Sequence, residues 1–430
     1  MILPICLALL AIVAFFVFYY YNLYKQKYLR LIGKVTADSK AISELPPRDW
    51  KSHDLHSLRS KGDPLADATI AHIFSDIQDV KVVNNLFKLL TSDDMTLPDD
   101  VHPAIKKYFE ESAILPEWTN RELMSFGHEY YLSQGILVGM LLFYKSLPEC
   151  YTAGNGAAVL LRTTLLNDRS PNLDKLSDRL ALTGTFIYKA MMPGSMEPKG
   201  EGIVSTQKIR LIHAASRYFI LNRNKGTSEQ WDTEKLGIPV NQEDMAGTLM
   251  AFSALVLEGL EILGVKMTTA ERESYIHAWR VIGHIMGVEN ELLPINANDA
   301  LNLGHAIIDD QMAPSEAGKA LTESLLNFCE KKAPWFVSRD FHKSMLRFLM
   351  GDKLADMLGV NPVAKEHSQK FIGFIKWYVS VRQILSQYFF WTFFLRSVDK
   401  VLLKLSYEYL SKKSSKDIHF QLPKDPVTRA

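Results

Sequence analysis

Ser177-Asp-Arg-Leu-Ala-Leu-Thr-Gly-Thr-Phe186 and Gln207-Lys-Ile-Arg-Leu-Ile-His-Ala-Ala-Ser-Arg217 decide how this chain is read. Both segments have helical spacing, and both place polar groups where a buried apolar seam would run. Ser177 and Asp178 are N-cap candidates for the first helix, which Pro193-Gly194 stops. On it Arg179, Thr183 and Phe186 fall at i, i+4 and i+7 and share one face. Gly184 beside Thr183 leaves room for something flat. The second helix is expected to start after Ser205-Thr206. Arg210, His213 and Arg217 line one stripe of it beside the small Ala214, while Ile209, Ile212, Ser216 and Phe219 fall on other faces. One imidazole between two guanidiniums suits a planar, anionic, metal-bearing ligand such as haem, with the histidine on iron and the arginines near the propionates. By spacing alone, a core histidine between two solvated arginines is the commoner arrangement, so both readings stay open.

Composition narrows the field. The 430 residues carry 49 Lys+Arg against 48 Asp+Glu, a balance that argues against a general nucleic-acid binder. A hydrophobic share of 47% supplies a sizeable core in one large domain or two. Cys6, Cys150 and Cys329 are scattered, which implies neither a disulfide framework nor a zinc ribbon and fits a reducing compartment. The chain has no P-loop, dinucleotide fingerprint or nucleophile elbow.

Taken in order, residues 1–24 read as a transmembrane anchor. Ile2 to Phe18 is apolar and uncharged, and Tyr19, Tyr20, Tyr21 and Tyr24 sit where an aromatic belt belongs. As a helix, Ile2 to Leu23 would run roughly 33 Å, enough to cross a hydrocarbon core of ~30 Å. Lys25, Lys27, Arg30 and Lys34 follow, so the positive-inside rule puts the remaining mass in the cytosol: at the endoplasmic reticulum in a eukaryote, at the inner membrane in a bacterium. Residues 25–64 read as a polar linker broken by Pro46-Pro47, and 65–365 as one helical domain. Within it Ser75 to Thr91, Gly127 to Lys145 and Asp244 to Gly264 each read as a helix. Thr268-x-x-Glu271 is a capping box opening the helix that carries His277 and His284, a pair more typical of a polar-rimmed core than of ligands. His305 and Asp309 have metal-compatible spacing but no evident third ligand. Residues 366–411 interleave aromatics with Lys and Arg as amphipathic helices, suited to a membrane interface or to packing. Residues 412–430 read as a disordered tail.

The elements Arg179-x3-Thr183 and Arg210-x2-His213-x3-Arg217 resemble the catalytic core of one helical oxygenase family. That family groups the latex-clearing (rubber) oxygenases with the membrane-bound MpaB oxygenase of mycophenolic acid biosynthesis. Ser146 to Tyr151, Gly154-Asn-Gly156, Glu243 to Thr248 and Trp279 to Pro294 are similar too, so the likeness spans roughly residues 100 to 350. The resemblance implies an all-α protein: a single large helical domain with globin-like packing that binds haem b. It makes His213 the axial iron ligand and Arg179, Thr183, Arg210 and Arg217 pocket residues, with Arg179 and Thr183 catalytic. It also implies O2 as co-substrate and a hydrophobic, isoprenoid or lipid-like substrate oxidised or cleaved at a C=C bond, one that a membrane anchor in contact with lipid would bring close. Two positions depart from the rubber-cleaving pattern. Leu182 stands where those members have a lysine able to reach the distal iron face, and Thr163 stands where they have a glutamate base. These departures favour an alternative, a membrane-tethered lipid-binding or scaffold protein that keeps the fold without the chemistry.

Overall fold

The computed structural model describes residues 2–76, 86, 89–90, 101–165, 173–198, 200–222, 225–228, 230–335 and 337–414; the side chains at 2–11, 13, 163–165, 173–178 and 410–414 are outside the description. Among these residues the regular structure is all-α, apart from one isolated antiparallel bridge between Ala153 and Met312. The N-terminal quarter supplies α1 (Ile2–Ser43), α2 (Pro64–Asp76) and α3 (Pro103–Ser112). Next come α4 (Arg121–Ser133), α5 (Gly135–Leu141), a π-helical turn at Leu142–Ser146, α6 (Leu147–Thr152) and α7 (Gly154–Leu165). The pair that opened the reading is α8 (Leu173–Ala190) and α9 (Glu201–Asn222). Beyond it lie α10 (Thr233–Leu236), α11 (Gln242–Phe252), α12 (Ala254–Ile262), α13 (Thr269–Met286) and α14 (Ala297–Gln311). The chain closes with α15 (Glu316–Lys332), α16 (Arg339–Met350), α17 (Asp352–Met357), α18 (Lys365–Ser386) and α19 (Phe389–Ser414).

Short polar side chains fix where these helices begin. Asn120, Asn241, Asn296, Ser315 and Ser338 each accept a backbone N–H from the first turn they cap, an arrangement worth about 1 kcal/mol apiece. Thr268 and Glu271 form the reciprocal capping box the sequence announces.

The core is built around α13, which packs against α4, α1, α9 and α14. Tyr275 and Trp279 are sealed at its centre, and burying each such apolar side chain contributes about 1.5–3 kcal/mol. A Cβ on Gly127 would lie 2.2 Å from the Ser274 carbonyl oxygen, so α4 and α13 meet backbone to backbone only because that position is glycine. The helices α8 and α9 pack on each other; α9 also contacts α2 and α13, while α8 lies along α19.

Several expected boundaries move. Helix α8 begins at Leu173, placing Ser177 and Asp178 inside it. Helix α9 begins at Glu201, and the Thr206 hydroxyl donates to the Gly202 carbonyl one turn back instead of capping. The 244–264 stretch is two helices, because the backbone breaks at Ser253 (φ −116°, ψ −84°). The 127–145 stretch likewise breaks at Gln134. The expected helix at Ser75 to Thr91 falls mostly outside the described residues, as does the 412–430 tail.

Residues 25–64 are not a loose linker. Helix α1 continues without interruption through Ser43, and Lys34 and Asp38 on it bond Glu122 and Asn120 of the core. The remainder is stapled down. Arg48 reaches Asp299 (2.5 Å) and the Leu293 carbonyl, and Arg59 reaches Asp244 and Gln311. By length and composition, Gln242–Ile262 is long and apolar enough to cross a membrane, but it lies mostly buried in the core and is broken at Ser253. For the anchor expected over 1–24, the side chains of residues 2–11 and 13 are outside the description. Those of Phe15, Phe16, Phe18, Tyr19 and Tyr20 are exposed.

Candidate functional site

Arg210, His213 and Arg217 share one stripe of α9. The two arginines tie it to α2 through two acids set one turn apart at that helix's start. Asp63 takes a bidentate grip from Arg210, at 2.6 Å to Nε and 2.8 Å to Nη2. Arg210 completes its set through Nη1 to the Ile285 carbonyl at 3.1 Å. Asp67 accepts from Arg217 Nε at 2.7 Å, and Arg217 Nη1 donates to the Val240 carbonyl at 2.7 Å. Gly287 seats this cluster: it caps α13 at φ +86°, and a Cβ there would strike Asp63 and the Arg210 guanidinium at 2.4–2.7 Å.

Between the two arginines, on the same stripe, lies His213, which feels the charges of both Arg217 and Asp63. Its Nδ1 is buried and has no hydrogen-bond partner, while the residue as a whole is half-buried. Its remaining exposure therefore lies away from Nδ1. Burial, reinforced by the charge of Arg217, pulls its pKa down to about 4, so the imidazole is neutral at physiological pH. A neutral imidazole is the form that binds a metal.

Helix α8, packed against α9, brings the other predicted residues. Thr183 and Leu182 are half-buried. Arg179 donates to the Leu160 carbonyl at 2.9 Å, and burial lowers its pKa from the usual value, with Tyr151 as the group opposing that shift. The predicted residues thus lie on two packed helices; of the α9 arginines, Arg217 has a buried nitrogen without a partner, Nη2, whereas every Arg210 nitrogen makes a hydrogen bond.

Other polar groups escaped the sequence reading. Lys145, on the π-helical turn, is buried between Glu149 (2.6 Å) and Glu258 (2.8 Å), and Glu258 pairs with His305 at 2.8 Å. Burial pushes Glu149 up to about 7 against the pull of Lys145, and its Oε2 has no partner. His305 therefore serves an ion-pair chain and not a site with Asp309. Among the described residues no three His, Cys, Asp or Glu side chains gather as a metal site would need. His277 and His284 both meet the Trp118 ring edge-on, and His277 Nε2 accepts from the Asn120 N–H at 2.9 Å. The π-helical turn that carries Lys145 sets up this network and has no counterpart in the sequence pattern.

The all-α fold and the family comparison together make this a helical oxygenase catalytic domain. The family described as ER-bound oxygenase mpaB/B'/Rubber oxygenase, catalytic domain, matches residues 133–379, more than half of the chain, and the chain belongs to it. Among its relatives is the Rubber oxygenase of Streptomyces sp. (strain K30), 27% identical over 300 residues that cover 69% of this chain and 70% of that protein. The structure of Latex Clearing Protein LCP in the closed state shares the fold at a TM-score of 0.62 and 22% identity, covering 85% of this chain and 95% of that one. All five predicted pocket residues fall within the family match. Asp63 and Asp67, which hold two of them, fall outside it.

Proposed function

We propose that this oxygenase-family chain is a membrane-anchored, haem b-dependent enzyme that uses O2 to oxidise or cleave a C=C bond in a hydrophobic substrate of isoprenoid or lipid-like type, polyisoprene being the substrate class its rubber-oxygenase relative suggests. The observation that carries the reading is His213: a neutral imidazole with a sealed, partnerless Nδ1, on a helix packed against the one that carries Arg179 and Thr183. In a structural histidine both ring nitrogens would normally be satisfied. A haem b would be held by His213 on its iron, with the unpartnered Arg217 Nη2 as the donor left for an anionic edge. Arg210, gripped by Asp63 through two nitrogens, acts as the brace of α9. When bound, the haem supplies the oxygen chemistry.

The chain's own residues would then set the conditions. Thr183 offers a hydroxyl, and Arg179 a buried cation with a lowered proton affinity, on the α8 face. Leu182, in place of a lysine, leaves that face without an internal competing ligand. Helix α8 lies along α19, where Tyr188 stacks on Tyr407 at 4.5 Å. A substrate partitioned into a bilayer near the N-terminal half of α19 would travel one helix to reach α8.

The test is the visible spectrum of detergent-purified full-length protein with a pyridine haemochrome assay. The expected result is a Soret band, about one b-type haem per chain, and loss of both in His213→Ala. A His213→Ala protein that folds and keeps full haem would sink the ligand assignment. Wild type that stays colourless after expression with haem precursor would favour the scaffold reading, which the Leu182 and Thr163 departures support.

A further inference from the structure

Between α1, α4, α18 and α19 lies a cavity of about 150 Å³, room for several waters at ~30 Å³ each. We propose that it binds the headgroup of a zwitterionic phospholipid, so that the domain is held to the bilayer by one specific lipid as well as by α1. This rests on the membrane-anchored reading above.

The chemistry of the walls carries the argument. Tyr130 lines the cavity, is only 3% exposed, and its hydroxyl has no partner. A buried hydroxyl left unmade is costly, and a ligand entering the cavity would satisfy it. Ser133, Gln134, Ser386 and Thr392 add further hydrogen-bonding groups to the lining.

The deep charges are already spent. Glu129 is paired with Lys27 at 2.9 Å and also with Arg396; Arg382 is paired with Asp399 at 2.5 Å. Every charge on the floor therefore has an opposite partner, with one cation in excess because Glu129 serves two. Two opposite charges remain in the lining. Lys266 makes no ion pair among the described residues, and Glu271 gives Oε2 to the N–H and hydroxyl of Thr268, leaving Oε1 free of a partner among them. One cation and one anion around a small polar cavity match a ligand carrying one phosphate and one ammonium. The rings of Tyr28 and Phe126 supply the faces a substituted ammonium prefers.

Position selects a bilayer lipid over a free solute. Tyr24 lines the cavity and packs on Phe389 and Phe393, while Tyr21, one turn earlier, packs on Phe390. Immediately before these, Phe18, Tyr19 and Tyr20 are exposed, and at the α18–α19 turn Tyr388, Phe390 and Trp391 are exposed beside them. Six residues of helix separate Phe18 from Tyr24, ~9 Å. The cavity thus opens about one headgroup layer from an aromatic-rich surface.

The experiment uses full-length protein and two readouts. Flotation on vesicles of phosphatidylcholine or of phosphatidylglycerol reads the anchor, and both should bind. Native mass spectrometry in detergent, with equimolar phosphatidylcholine, phosphatidylglycerol and diacylglycerol supplied, reads the site. The expected result is one phosphatidylcholine retained per chain, with Tyr130→Phe and Lys266→Glu each lowering retention roughly three- to tenfold while flotation is unchanged. Equal retention of diacylglycerol or phosphatidylglycerol, or wild-type retention in both variants, overturns the headgroup site and leaves the anchor standing. Absence of flotation on either vesicle overturns the anchor, and selective phosphatidylcholine retention in detergent would still uphold the site.

Discussion

Along one stripe of α9, the two arginines and the histidine between them are built on opposite principles. Each arginine charge has found a partner: Arg210 with Asp63, Arg217 with Asp67, each held further by a main-chain carbonyl. His213 keeps a buried Nδ1 with nothing to bond, and Arg217 keeps its Nη2. One helix thus contains both its support and its vacancy. The contrast separates roles: the paired groups hold geometry, and the unpaired nitrogens lie where the proposed ligand would sit.

The contrast can be broken most forcefully at Asp63, which is 1% exposed. Asp63→Asn leaves the Arg210 charge buried and uncompensated, and should cost about 3–5 kcal/mol in denaturant unfolding. A loss below ~1 kcal/mol would show that the brace is not structural.

A second probe uses pH on another partnerless histidine. His128 is 1% exposed with neither ring nitrogen bonded, and burial lowers its pKa from 6.5 to about 4. The unfolded chain takes up that proton as pH falls below 6.5 while the folded state refuses it. Its contribution is therefore fully present above pH 6.5 and is lost on descending to about 4, by up to ~3 kcal/mol. His128→Phe should flatten the stability profile across that window; an unchanged acid slope would remove His128 from the account.

Smaller effects are expected at the half-open pair. Asp67 is about one-third exposed, so Asp67→Asn should cost only about 1 kcal/mol, well below Asp63→Asn. If the two cost the same, burial does not grade the brace. Smallest of all, His213→Leu in haem-free protein should leave thermal stability within ~1 kcal/mol or raise it, because it removes an unsatisfied buried nitrogen. A loss of several kcal/mol would mean that the imidazole makes structural contacts of its own.

The stripe and its partners were unequally legible in the sequence. The Arg-x2-His-x3-Arg spacing puts the stripe on one side of a helix, and the 3.6-residue period is a local property. The partners are not local: Asp63 and Asp67 lie 147 and 150 residues from the arginines they hold, and no period connects them. Helix ends failed for a related reason. Ser253 donates back to the Leu249 carbonyl at 2.6 Å and the helix breaks there, while the apolar pattern runs on across it. Thr206 has the chemistry of a cap but spends it on the turn before. A hydroxyl's choice between forward capping and backward bonding depends on packing that a single strand of letters does not display.

Helix α1 runs 42 residues without a break, about 63 Å of continuous rod. Its exposed aromatic end and its core-packed end, where Val35 and Ser39 are fully buried, belong to the same continuous helix. Lys27, Lys34 and Asp38 bolt that helix to α4 and the segment before it. If the first two dozen residues are anchored as proposed, the continuous helix ties the placement of α8 and α9 to that anchor, like a tool clamped in a vice instead of held on a tether.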